Sequence, residues 1–93
     1  MTNQTMTKSA VGKIKSWGVF ASSAELEFVL ETDAGPMDLK TEESTDPRAF
    51  TAMAAVLSSA YLRDEAVYVT YFEDTRFVDF VGLPVGAWAS ISQ

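Results

Sequence analysis

Residues 46–84 read DPRAFTAMAAVLSSAYLRDEAVYVTYFEDTRFVDFVGLP and decide the fold, because they join a helix to a β-hairpin. Asp46 precedes Pro47, which is typical of a helix start, since aspartate caps free backbone amides and proline fits the first turn. Apolar residues then recur at helical spacing and predict a helix over 47–63 with one face in the core. This core stripe comprises Phe50, Met53, Ala54, Leu57 and Tyr61.

The hairpin that follows the helix is apolar on both faces. Its strands are predicted over 67–72 and 76–83, around a turn at 73–75. A strand with one solvated face would alternate apolar and polar residues. The excess of apolar residues therefore predicts that the second face is covered. The helix, the C-terminal segment with Trp88, or a second subunit could cover it.

Three strands are predicted before the helix. The clearest covers 25–31, where apolar residues alternate with glutamates over most of its length. A first strand is predicted over 11–20, with a bend or bulge at Gly18. Turn residues at 33–36 separate the second strand from a third over 37–40.

Opposite charges are expected to face each other across the first hairpin. If the apolar faces of the two strands match, Lys13 and Lys15 lie near Glu27 and Glu31. Such pairs set the register of a surface and do not form a site.

The order of three strands, a helix and two strands predicts a mainly β fold with one helix. A five-stranded OB-like barrel has this order. An open antiparallel α+β sheet with the helix across one face is the alternative. Residues 11–84 form the predicted OB-like domain, between a flexible arm at 1–10 and a tail at 85–93.

Composition narrows the classes of function. The 93 residues include 13 acids and 7 bases, a net charge of −6 that disfavours nucleic acid as a partner. Without cysteine or histidine there is no thiolate nucleophile, no imidazole base and no cysteine or histidine metal ligand, and we expect neither cofactor nor metal. No apolar run is long enough to span a membrane. Residues 1–10 lack the apolar run of a secretory signal, which predicts a cytoplasmic location.

The side of the helix opposite the core stripe is nearly uncharged. In an acidic protein, a solvent-facing helix side usually carries glutamate and lysine, whereas small residues permit close approach of another helix. An alanine-rich helix of good propensity would give the same pattern without any partner. The predicted oligomer interface comprises Arg48, Thr51, Ala52, Ala55, Ser58, Ser59 and Leu62.

Aromatic and acidic residues supply the other candidates for function. Trp17 and Tyr68 could stack on sugars or bases, so a monomeric single-stranded nucleic-acid-binding OB domain is one alternative. A carboxylate-based enzyme using Asp79, predicted on the apolar strand face of Val81, is another. No second reactive group is placed beside Asp79, so no catalytic residue is predicted.

The helix and final hairpin resemble the B subunits of AB5-type toxins, in particular those of the subtilase cytotoxin type, and small uncharacterised bacterial relatives. The similarity covers roughly residues 11–84. It rests on element order, a phenylalanine-bearing helix that enters a strand of VxVxY type at 67–71, and the ending VGL at 81–83. The resemblance implies a non-catalytic OB-fold subunit in a ring, typically a pentamer, with helices at the centre and glycan sites on the barrel sides. For such a site, Ser22 and Ser23 are the nearest candidates by position and chemistry.

These observations predict a non-enzymatic, homo-oligomeric OB-like module that binds a glycan or a protein partner. The predicted ligand-binding residues are Trp17, Ser22, Ser23 and Tyr68.

Overall fold

The computed structural model describes residues 6–20, 25–42 and 46–89. Within these residues the elements are, in chain order, β1 (Thr7–Phe20), β2 (Glu25–Thr32), β3 (Gly35–Lys40), α1 (Pro47–Leu62), β4 (Ala66–Phe72), β5 (Val78–Gly82) and α2 (Val85–Ala89). The mainly β class and the order of five strands around one long helix are confirmed. Two differences are that β1 starts four residues before the predicted position 11 and that a short helix, α2, follows β5.

The five strands form an open antiparallel sheet in the order β3-β2-β1-β4-β5. β1 is shared between the two halves of the sheet, since it pairs with β4 through residues 7–13 and with β2 through residues 13–20. The edge strands β3 and β5 approach each other at one end. There, Lys40 forms a parallel bridge with Phe77, and its amide donates to the Arg76 carbonyl at 3.3 Å.

The shared strand changes partner close to Gly12. A Cβ atom at Gly12 would overlap the backbone carbonyl of Glu31, whereas a Cβ at Gly18 would meet no atom within 4 Å. The register with β2 shifts between Ile14 and Ser16, which places the bulge at Lys15. The irregularity predicted at Gly18 therefore lies earlier in the strand, at Lys15, and the close approach of β2 is at Gly12.

Helix α1 closes one side of the core. Its cap is as predicted, since the Asp46 carboxylate accepts a hydrogen bond from the Arg48 amide at 2.7 Å. Leu57 and Ala60 are fully buried, and α1 contacts β1, β4 and β5. Tyr61, which the sequence assigned to the core stripe, is 48% exposed, because the buried side of the last turn passes through Ala60 instead.

The core lies between α1 and one face of the sheet. Alternate residues of β2 are buried, as predicted, and they join residues from each of the other strands. The fully buried side chains include Leu26, Phe28, Leu30, Leu39, Leu57, Val67 and Val69.

The second apolar face of the β4–β5 hairpin is covered within the chain. Phe80 lies between Tyr68 and Trp88, with ring centroids 6.4 and 4.8 Å away, both in edge-to-face geometry. The Trp88 indole nitrogen donates to the carbonyl of Leu83, just after β5, at 3.0 Å, which holds the ring beside Phe80. Gly82 leaves room for this ring, since a Cβ there would lie 2.7 Å from it. Of the three covers considered from the sequence, the C-terminal segment is therefore the one observed.

Thr41 joins the end of β3 to the start of β2. It is 2% exposed, and its hydroxyl accepts a hydrogen bond from the Leu26 amide at 2.9 Å. Its own amide donates to the Leu26 carbonyl, also at 2.9 Å. The side chain thus supplies an acceptor that the backbone does not provide.

Gly12→Ala should lower the free energy of unfolding by about 2 to 3 kcal/mol, because the new methyl group must displace backbone atoms of β2. Gly18→Ala is the matched control and should stay within about 0.5 kcal/mol of the parent. Urea titration followed by circular dichroism measures both. Equal effects of the two substitutions would show that Gly12 does not limit the approach of β1 and β2.

Thr41→Val should cost about 1 to 3 kcal/mol of stability, because a buried amide loses its acceptor. Thr41→Ser keeps the hydroxyl and should retain most of that stability. Thermal and urea unfolding compare the two variants. A serine variant as unstable as the valine variant would assign the role of Thr41 to its methyl group.

Candidate functional site

A cavity of about 430 Å³ lies on the face of β1, β2 and β3 that points away from the core. This volume is within the range of small-ligand sites, about 300 to 1,000 Å³. Six of its lining residues lie on this outer face. They are Ser16, Gly18, Phe20, Glu27, Val29 and Asp38.

The bulge at Lys15 determines which side chains of β1 face this cavity. With strict alternation, Ser16 would follow Ile14 into the core. The extra residue instead sets Trp17 opposite core residue Phe28 and turns Ser16 to the outer side. One local irregularity therefore supplies the β1 wall of the cavity.

Two carboxylates face the cavity from neighbouring strands. Glu27 of β2 is half-buried and Asp38 of β3 is exposed. Within the described ranges, neither carboxylate has a hydrogen bond or an ion pair. The expected pair of Lys15 with Glu31 is present at 3.9 Å, but Lys13 contacts Asp64 at 3.1 Å. The cavity therefore offers hydrogen-bond acceptors that no side chain of residues 6–20, 25–42 and 46–89 occupies.

A second cavity of about 210 Å³ continues from the first. It shares Glu27 and Asp38 with it and extends to Lys40 and to Thr75 and Arg76 of the β4–β5 turn. We call the two cavities together the outer groove. It runs from the end of β1, across β2 and β3, to the turn before β5.

The outer groove contains apolar as well as polar residues. Phe20 is 50% exposed at the end of β1, and Val29 lies on the same outer face, opposite Ser16 and Asp38. Trp17 also lines the cavity, although its side chain is half-buried and packs against the core. The groove thus combines an apolar surface with two acidic groups, an arrangement that can bind an amphipathic ligand.

The predicted ligand-binding residues lie in different places. Trp17 lines the outer groove. Tyr68 is 5% exposed, belongs to the aromatic cluster with Phe80, and does not line the groove. Ser22 and Ser23 lie outside the described residues.

The predicted interface on α1 lies on the surface of the chain. Five of its residues are exposed and two, Ser58 and Ser59, are half-buried. Leu62 is 80% exposed at the end of the helix, next to the exposed Tyr61. The exposed members of the predicted set are Arg48, Thr51, Ala52, Ala55 and Leu62.

Asp79 is the residue that the sequence considered for catalysis. A second bulge, between Thr70 and Tyr71 in the register with β5, turns its side chain away from the face of Val81. Asp79 is exposed and accepts a hydrogen bond from the Thr70 hydroxyl at 3.3 Å. The predicted placement on the face of Val81 is therefore wrong, and the bulge is the cause.

Sequence reasoning missed Glu27, Asp38 and Phe20 as groove residues. One signal for them is present in β2, where Val29 takes a position at which the flanking outward residues are glutamates. An apolar residue in the middle of a solvated strand face indicates a surface that contacts a ligand or another protein.

Comparison with known proteins identifies no relative of this chain. No protein-family model, curated protein or solved structure matches the chain significantly. Among residues 6–20, 25–42 and 46–89, no group of three or more acidic side chains could hold a metal ion, and no helix has the length and apolarity to cross a membrane.

Proposed function

We propose that the chain is a non-catalytic, self-associating binding module with an OB-like barrel, which binds its ligand in the outer groove and contacts further copies through α1. The observation that carries the ligand site is a concave cavity of about 430 Å³ that joins an exposed aromatic ring to two unpaired carboxylates. The proposed ligand is a glycan or a group on a partner protein.

The strand order supports the OB-like barrel. β1 is shared between the two halves of the sheet, and the bridge of Lys40 with Phe77 brings the two edge strands together at one end. In OB folds, ligands bind across strands 2 and 3 and the adjacent loops. The outer groove also crosses β2 and β3, which supports a ligand site on this face.

Self-association is supported by the composition and exposure of α1. Residues 49–62 contain no charged side chain, and Tyr61 and Leu62 are exposed at the helix end. Copies of a chain with a net charge of −6 repel each other least where they are uncharged. The resemblance to toxin B subunits adds a ring, typically of five subunits, as the assembly to test.

The two alternative functions have less support. A nucleic-acid site needs cations beside its stacking rings, whereas the side chains that face the large cavity include Glu27 and Asp38. A carboxylate enzyme would need a reactive partner for Asp79, which contacts Thr70 instead.

Gly18→Val should block the outer groove and weaken ligand binding at least about tenfold, because the added side chain projects into open space in the cavity. Gly86→Val, in α2 and away from the groove, is the matched control. The ligand is sought by recording ¹⁵N–¹H spectra during titration with neutral saccharides and with peptides. The proposal expects shifts that concentrate on the strands of the groove, and a ligand whose shifts concentrate on another surface would contradict it.

Ala55→Glu should convert assemblies into monomers, because it places like charges in the contact while the exposed position tolerates the side chain. Ala34→Glu, in the β2–β3 turn, adds the same charge elsewhere and should leave the assembly intact. Multi-angle light scattering at high micromolar concentration measures the mass of each form. A parent protein that is monomeric under these conditions would refute the self-association through α1.

A further inference from the structure

The Trp88 ring of α2 lies in a slot on the β4–β5 hairpin, which we call the indole slot and define by Phe80, Gly82 and Leu83. Gly82 forms its floor, since a Cβ atom there would lie 2.7 Å from the indole Cδ1 and Nε1 atoms. Phe80 forms a wall in edge-to-face geometry, with its ring centroid 4.8 Å away. The Leu83 carbonyl accepts the indole N–H at 3.0 Å. The slot therefore matches an indole in shape, ring contact and hydrogen bonding.

The segment that supplies this ring has little helical stability of its own. α2 has five residues, whereas isolated helices shorter than about 12 residues are marginal in water. One of the five is Gly86, and glycine has low helix propensity. Gly86 and Ala87 are exposed, while Val85 and Trp88 are half-buried. Trp88 is therefore the large side chain that holds α2 on the hairpin.

The indole slot lies at the surface, beside a hydroxyl group that its present occupant does not use. Trp88 is half-buried, so part of the ring remains in water. Tyr68 lies opposite Gly82 in the β4–β5 register and is 5% exposed, yet its hydroxyl has no hydrogen bond within the described ranges. Every fully buried side-chain oxygen or nitrogen in these ranges has a partner, so this hydroxyl reaches the surface. The backbone of an incoming peptide can supply its partner.

We propose that the indole slot binds a tryptophan side chain of a partner protein, and that α2 is a strap whose Trp88 closes the slot when that partner is absent. Tryptophan is among the residues most enriched as buried anchors of protein interfaces. Phenylalanine would fit less well, because it cannot donate to the Leu83 carbonyl. The slot is a separate site from the outer groove, since Phe80, Gly82 and Leu83 line neither of its cavities.

The strap makes the two tryptophans compete for one site. A ligand that binds only the open form has its apparent affinity reduced by the fraction of molecules that are open. Trp88→Ala removes the internal competitor and leaves the slot empty. The parent protein should therefore bind a tryptophan side chain at least about tenfold more weakly than the Trp88→Ala variant.

The test titrates both proteins with the capped peptide Gly-Ala-Trp-Ala-Gly and follows ¹⁵N–¹H spectra. Shifts should concentrate on Phe80, Gly82 and Leu83, and the same peptide with phenylalanine in place of tryptophan should bind more weakly. Gly82→Ala in the Trp88→Ala background is the matched control and should abolish binding, because its Cβ occupies the floor of the slot. Equal affinities of the parent and Trp88→Ala would overturn the strap.

Free indole separates a small ligand from a side chain. If indole binds Trp88→Ala and the peptide does not, the partner protein is overturned. If neither probe shifts resonances of the slot, the site itself is overturned. Peptide shifts that concentrate on the outer groove would also overturn this proposal, while they would support the groove as a ligand site.

Hydrogen exchange of the parent protein tests the strap without any variant. The Trp88 Nε1–H should be protected at least about tenfold less than core amides such as that of Val69, because it is released by local opening of α2. If Trp88 Nε1–H is as protected as the core amides, α2 leaves the hairpin only on global unfolding. That result would overturn the strap even if Trp88→Ala failed to fold.

Discussion

The shared strand β1 is the constraint on which the rest of the structure depends. It must pair with β4 through one half and with β2 through the other, and Lys13 is paired on both sides. Gly12 permits this exchange because any side chain there would meet the Glu31 carbonyl. The bulge at Lys15 lies three residues later in the same strand, and it decides which residues of β1 enter the core and which face the outer groove. The fold and the candidate site thus originate in one short segment of backbone.

Local chemistry made much of the fold predictable from the sequence. The cap at Asp46, the turn glycine Gly35 with its positive φ of 112°, and the alternation in β2 each act over a few residues, and all three are observed. The bulges could not be placed in this way, because their positions depend on the register with another strand. Gly18 carried the local signal for a bulge, yet the close approach of β2 occurs at Gly12.

The candidate site was harder to predict than the fold because it depends on distant contacts. Trp17 was selected as an aromatic residue and does line the groove, but Glu27 was assigned to a surface ion pair. Lys13 instead contacts Asp64, which follows α1 in the chain. The tertiary structure determines which of the thirteen acids each of the seven basic side chains contacts. The unpaired carboxylates can therefore be identified only once each basic side chain has been located.

The cover over the β4–β5 hairpin changes the argument for self-association. From the sequence, both the uncharged side of α1 and the two apolar faces of the hairpin favoured a second subunit. Trp88 now accounts for the second face of the hairpin, since it packs on Phe80 and hydrogen-bonds to the Leu83 carbonyl. The two-sided apolar hairpin therefore no longer argues for a second subunit, and the case for assembly rests on α1. Leu62, with most of its side chain in solvent, is the residue whose exposure another copy would best explain.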